Sequence, residues 1–207
     1  GMHPSETALF DKLNGYRSSR SDLKPIGQGD SKIRWLYAAD SNTTGIEGDV
    51  YRRNSDFWNF FMNWGVSNKD SGKRGRHGRG RITILEASDC KTVIVVTKRK
   101  KDELPICCGL SLLDQGEDKG GIFRDTWSFF AIGQNEENSS ILALHHWEKI
   151  KANLLPVVGE IDGFTVGKFK QGTHILIFEP NKEIKEELLI AATLEHYLPG
   201  FLLDDME

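Results

Sequence analysis

Four glycines, Gly72, Gly75, Gly78 and Gly80, stand among the basic side chains Lys73, Arg74, Arg76, Arg79 and Arg81, directly before the apolar Ile82, Ile84 and Leu85. Glycine lets the backbone take positive φ and approach a ligand closely. The start of a helix adds unpaired N–H groups and the positive end of a dipole. A glycine loop running into a helix is therefore a natural seat for phosphates. A floppy basic surface loop is the competing reading, and the segment alone fits both.

Two familiar phosphate signatures fail here. Gly75 and Gly80 have the spacing of a P-loop, but Arg81 stands where lysine belongs and Ile82 where a metal-holding Ser or Thr belongs. Gly78-x-Gly80 is followed by Thr83 rather than by the third glycine of a dinucleotide fingerprint. What remains is G-x-x-G-x-G, from Gly75 to Gly80.

The rest of the chain reads as alternating elements. Ser5 to Leu13 suits a short helix, and residues 15–31 are polar and rich in Gly, Ser and Arg, as in a loop. Strands are expected near 32–39, 91–98, 104–113 and 173–179, with Thr92 to Thr97, β-branched throughout, the clearest. Ser55 can cap a helix whose stripe is Phe57, Phe60, Phe61 and Trp64, with Gly65 as the stop. Further helices are expected over 81–88, over 140–154 with Ala143, Trp147, Ile150 and Leu154 on one face, and over 183–197. In the last, Ile184, Leu188, Ala191, Leu194 and Leu198 form a buried stripe after the cap Asn181 and before Pro199-Gly200. The expected fold class is α/β, an α+β two-layer sandwich: one mixed sheet with helices on one face.

Composition narrows the functions. The 207 residues are 38% hydrophobic and 28% charged, with a net charge of −3, so there is no global pull toward nucleic acid or anionic lipid. No apolar run approaches a membrane span of about 20 residues, and no membrane partner is expected. Cys90, Cys107 and Cys108, an odd set with two adjacent in an apolar run, predict reduced core thiols in a cytoplasmic protein and no metal site. His145-His146 beside Trp147 reads as a helix surface pair rather than a metal site, and His77 has no partner in sequence.

With the elements placed, three blocks in order resemble the GHKL ATP-binding fold shared by type II topoisomerases, mismatch-repair ATPases and sensor histidine kinases. A strand ends in Asp40, followed by a Thr/Gly turn, Asp40-Ser-Asn-Thr-Thr-Gly45-Ile-Glu-Gly48-Asp49. Next come Phe57-Trp-Asn-Phe-Phe61, Ser67 to Lys73 and the glycine loop, leading to the Val-Ile-Val-Val strand. Gly172-Thr173 then opens the strand His174 to Phe178. The resemblance covers residues 32 to 198 and is closest to bacterial stand-alone ATPases of this class.

It implies ATP as ligand and Mg²⁺ as its companion ion. Asp40 would accept a hydrogen bond from the adenine amino group as a buried carboxylate, supported by Thr173. Gly45 would let the backbone pass close to the base, with Thr44 beside it among the nucleotide-binding residues. Gly75, Gly78 and Gly80 would cradle the phosphates in a mobile lid, with Lys73 and Arg79 neutralising them. Arg81 lies equally close to the glycines. The implied organisation is an amino-terminal helix and loop over 1–31, a nucleotide-binding domain over 32–200 and an acidic tail over 201–207.

One departure bears on chemistry. The family opens with a helix carrying Glu-x-x-x-Asn, a base for water and a ligand for Mg²⁺. No such segment precedes Asp40; Asp11 and Asn14 come nearest, and their spacing is one residue short. The expectation is a truncated or diverged domain that binds nucleotide and hydrolyses little alone, lacking the base and the metal term. The alternative is a non-enzymatic module that binds nucleic acid or a protein through the basic loop 69–81, although no aromatic residue lies between Lys69 and Arg81 to stack bases.

Overall fold

A computed structural model describes residues 10–11, 13–15, 17–20, 23–27, 33–49, 52–53, 55–61, 80–103, 105–130 and 170–202. The expected helix over 140–154, together with Trp64, Gly65 and most of the glycine loop, lies outside these residues.

The described strands are β1 (Trp35–Ser41), β2 (Thr92–Lys98), β3 (Ile106–Leu112), β4 (Gly116–Glu117), β5 (Phe123–Arg124), β6 (Trp127–Phe130) and β7 (Gly172–Phe178). Five of them form one sheet in the order β1-β7-β2-β3-β6, and β4 pairs with β5 as a separate hairpin. The four expected strands all lie in the larger sheet. Every described pairing is antiparallel, which corrects the expectation of a mixed sheet. Together with the helices, this makes an α+β architecture.

Two-residue alternation sends successive side chains of β2 and β7 to opposite faces. On one face Ile94, Val96, Cys107, Leu176 and Phe178 pack with Phe10 and Ile26 of the amino-terminal segment. On the other, Val93, Val95, Ile106, Cys108, Leu110 and Ile177 pack beneath Phe57, Phe61 and Leu85. These last three come from α1 (Asp56–Phe61) and α2 (Gly80–Glu86). The expectation of helices on one face is therefore corrected: both faces are covered. Burying one hydrophobic face of a sheet leaves the other in water, and the continuous apolar run of β2 has no polar face to offer it.

Local signals explain the described helices. Ser55 accepts the Trp58 N–H through Oγ at 3.0 Å, the expected cap of α1. Phe57 and Phe61, one turn apart, are each 1% exposed, with ring centroids 4.6 Å apart. The last helix, α3 (Glu186–Leu202), runs on through Pro199 rather than stopping before it. Asn181 accepts the Glu183 N–H at 2.9 Å, forming a turn ahead of that helix. Its expected buried stripe is corrected, because Leu188 is 59% and Leu194 51% exposed. The faces of the central strands are already filled from the amino-terminal segment and from α1 and α2.

The polar stretch 15–31, expected as a loop, is tied to the sheet through its described residues. Arg17 is buried and donates through Nη1 to the Cys90 carbonyl at 2.5 Å and to Thr92 Oγ1, and through Nη2 to the Lys24 carbonyl at 2.9 Å. Glu179, buried at the end of β7 with φ at 45°, accepts from Lys24 Nζ at 3.3 Å and Arg34 Nε at 3.5 Å. Cys90, Cys107 and Cys108 are free and buried. Burial pushes all three thiols upward, which keeps them protonated and chemically quiet.

Candidate functional site

The end of β1 meets the start of β7, where Asp40 pairs with Thr173 and Ser41 with Gly172. The Thr173 N–H donates to Asp40 Oδ1 at 2.5 Å, across 133 residues of sequence. Thr43 donates its hydroxyl to the same oxygen at 2.8 Å, curling the turn back over the strand end. Asn42 takes φ of 63°, a left-handed conformation that Asn tolerates better than most residues. Its N–H donates to the Gln171 carbonyl at 2.9 Å, and the Gln171 side chain returns a bond to the Thr43 carbonyl at 2.6 Å.

Gly45 then passes close over the sheet with φ of 70°. A Cβ there would lie 2.8 Å from Thr97 Oγ1 and 2.9 Å from the Lys98 carbonyl, so the close approach needs glycine. Thr97 Oγ1 accepts the Ile46 N–H at 2.9 Å and donates to the Gly172 carbonyl at 3.1 Å. Beyond the turn, the Gly48 carbonyl accepts from Arg99 Nη1, and Arg99 forks onto Asp102. The Phe57 N–H donates to the Glu47 carbonyl at 2.6 Å, fastening the connection to α1.

Of the expected site residues, Asp40, Thr44, Gly45 and Thr173 are brought to one end of the sheet. Asp40 is exposed, a correction to the expected buried carboxylate: the turn holds its Oδ1 from below and leaves the carboxylate at the surface. Thr44 is exposed beside it. Gly80 opens α2, which packs on the same face of the sheet as Thr97. Lys73, Gly75, Gly78 and Arg79 lie outside the described residues.

His174, one residue past Thr173, points to the opposite face and is buried. Its ring stacks on Tyr37 at a centroid distance of 5.9 Å. Nε2 lies 3.1 Å from the Lys170 carbonyl and Nδ1 2.5 Å from the Tyr37 hydroxyl. A carbonyl only accepts, so Nε2 carries the proton and Nδ1 accepts from Tyr37. Burial pushes the imidazole below its usual range, opposed by the Lys170 carbonyl and the Asp40 charge. The neutral ring anchors the loop that leads into Gly172.

The upstream pair is placed elsewhere. Asn14 donates to the Ile26 carbonyl and accepts the Ile26 N–H, both at 2.8 Å, so its amide staples a loop. Ile26 belongs to the cluster on the face opposite Thr97 and α1, and Asp11 is exposed. Among the described residues no cluster of three His, Cys, Asp or Glu side chains could hold a metal ion, and no helix is long and apolar enough to cross a membrane.

Sequence reasoning missed Thr97, Gln171 and Arg99 as parts of this arrangement. Thr97 carried a faint signal, a hydroxyl closing a run of valines on a central strand. No model of a protein family matches this chain, and the comparison with curated proteins finds no match.

Proposed function

We propose that the chain is an adenine-nucleotide-binding domain of the GHKL type, whose natural ligand is ATP. The observation that carries this reading is the convergence of Asp40, Gly45 and Thr173 on one end of a sheet, joined by the Thr173 N–H to Asp40 Oδ1 bond. Oδ1 takes both the Thr43 and the Thr173 bonds. The two donors fix the plane of the carboxylate and direct Oδ2 toward the exocyclic amine of adenine. Gly45 lets the turn settle onto Thr97 and Lys98 without a Cβ in the way, which sets the position of the backbone next to Asp40.

Phosphate binding is proposed on the sequence leading into α2, where Lys73 and Arg79 carry the positive charge, and Gly75, Gly78 and Gly80 the backbone freedom, that a triphosphate needs. The described residues fit the adenine end of the ligand. They offer no set of ligands for Mg²⁺, since the Asn14 amide is spent on Ile26. The site binds and orients a nucleotide, and turnover by this chain alone is not part of the proposal.

Asp40→Asn tests it. The Thr43 and Thr173 donors would hold the amide oxygen in the place of Oδ1, so the NH₂ would replace Oδ2 and face the adenine amine, donor against donor. ATP affinity should fall by about 1.5–3 kcal/mol, the worth of a hydrogen bond to a charged group. In calorimetric titration, Asp40→Asn binding ATP as tightly as the unmodified chain would remove the basis of the reading. Absence of heat from either protein would favour an interaction module built on the basic loop.

A further inference from the structure

Thr97 lies beneath the candidate site, is 1% exposed and reaches no solvent-facing ligand position. It sits at the end of β2, paired with Thr173 on β7 and with Ile106 on β3. Its hydroxyl accepts from the Ile46 N–H at 2.9 Å and donates to the Gly172 carbonyl at 3.1 Å. A hydroxyl has one hydrogen and two lone pairs, so it satisfies both partners at once. Those partners belong to the two segments that carry the rest of the site. Ile46 follows Gly45 at the end of the Asp40 turn, and Gly172 precedes Thr173.

We propose that Thr97 is a positioning residue for base recognition, whose hydroxyl locks the Asp40–Ile46 turn to the start of β7 and thereby sets the preference for adenine over guanine. The inference rests on the nucleotide reading given above. The direction of Asp40 Oδ2 depends on two donors, Thr43 from the turn and Thr173 from β7. Holding both donors at fixed separation requires the two segments to be tied, and Thr97 ties them from below. Gly45 packs onto the same hydroxyl, so Thr97 supports from the buried side the two segments that Asn42 and Gln171 join at the surface. Valine keeps the shape and the β-branching but supplies neither bond. Serine keeps both bonds and loses one methyl group.

The test compares Thr97→Val and Thr97→Ser with the unmodified chain by calorimetric titration with ATP and GTP. Thr97→Val should lower ATP affinity about tenfold, the scale of one lost hydrogen bond, and leave GTP binding unchanged, so the ratio narrows by the same factor. Thr97→Ser should keep the ratio within about threefold of the original. A ratio unchanged in Thr97→Val would overturn the proposal, as would equal losses in Val and Ser, which would assign the effect to packing. Amide exchange of the unmodified chain is a second arm that needs no variant and no ligand. The Ile46 N–H should be protected although its only described acceptor is a side chain, and fast exchange there would also overturn the proposal. If the unmodified chain binds neither nucleotide, the site reading and this proposal fall together; binding with an unaltered ratio in Thr97→Val removes this proposal alone.

Discussion

Replacing Phe10 with alanine should lower the free energy of unfolding by about 3–5 kcal/mol, the usual cost of deleting a fully buried phenyl ring. Phe10 is 2% exposed and meets Phe178 edge to face at 5.1 Å, in a cluster with Ile26, Ile94, Val96 and Leu176. Edge-to-face contact adds to the area buried. The amino-terminal segment has further ties through Arg17 and through Lys24 on Glu179, but none of these fills the space the ring leaves. Leu188→Ala on the exposed side of α3 is the matched control and should change stability by no more than about 0.5 kcal/mol. Urea unfolding monitored by circular dichroism decides between them. A Phe10→Ala cost as small as that of Leu188→Ala would mean that the amino-terminal segment is an appendage and that one face of the sheet is not closed by it.

Gly172→Ala should cost about 3 kcal/mol or more, because two penalties coincide. Its φ of 140° lies where L side chains are strained, a term of about 1–3 kcal/mol. A Cβ would also run into the Asp40 carbonyl oxygen, with Asp40 Oδ1 at 2.8 Å and the carbonyl carbon at 3.0 Å. Overpacking against backbone adds a further 1–3 kcal/mol, roughly. Gly116 separates the two terms: its φ is 154° and nothing lies within 4 Å of the added Cβ. Gly116→Ala should therefore show the backbone term alone. Similar losses at both positions would show that β1 and β7 are not pressed together at Asp40 as described, and the candidate site would lose its frame.

The strands that could be read from the sequence are those whose residues carry the signal themselves. β2 is β-branched and apolar, and β7 opens on the Gly-Thr pair. The β4–β5 hairpin was not legible, because residues 115–126 are polar and glycine-rich, and β6 is only four residues long, too short for a periodic pattern to mark it. The hairpin is held by a side chain: Asp118 accepts the Gly120 N–H at 2.9 Å, the Ile122 N–H at 3.1 Å and Arg124 Nε at 2.9 Å. Such tertiary and turn contacts leave no periodic trace. The same limit applies to residues 15–31, where buried Arg17 looks in sequence like any surface arginine.

Amphipathic spacing likewise predicted α3 as a helix but said nothing of whether a face was free to receive it. The convergence of Asp40, Gly45 and Thr173 was legible only through ordered motifs, since their contacts span the sheet. Thr97 was legible as a strand residue and not as a tie between two segments. That role depends on the register Thr97↔Thr173, which no local pattern encodes. Asp40 exposure was equally hidden, because a strand-end carboxylate can face inward or outward with the same neighbours in sequence.

Titrating the unmodified chain with ATP and, in parallel, with GTP is the most direct measurement of the central claim. The base is the only difference between the two ligands, so phosphate attraction to the basic loop cancels. Adenine presents an amine donor where guanine presents a carbonyl oxygen, and a carboxylate aimed there leaves the guanine pairing acceptor against acceptor. The account predicts that ATP binds at least tenfold more tightly than GTP, about 1.4 kcal/mol or more of discrimination. Equal affinities for the two nucleotides, or no binding of either, would contradict it.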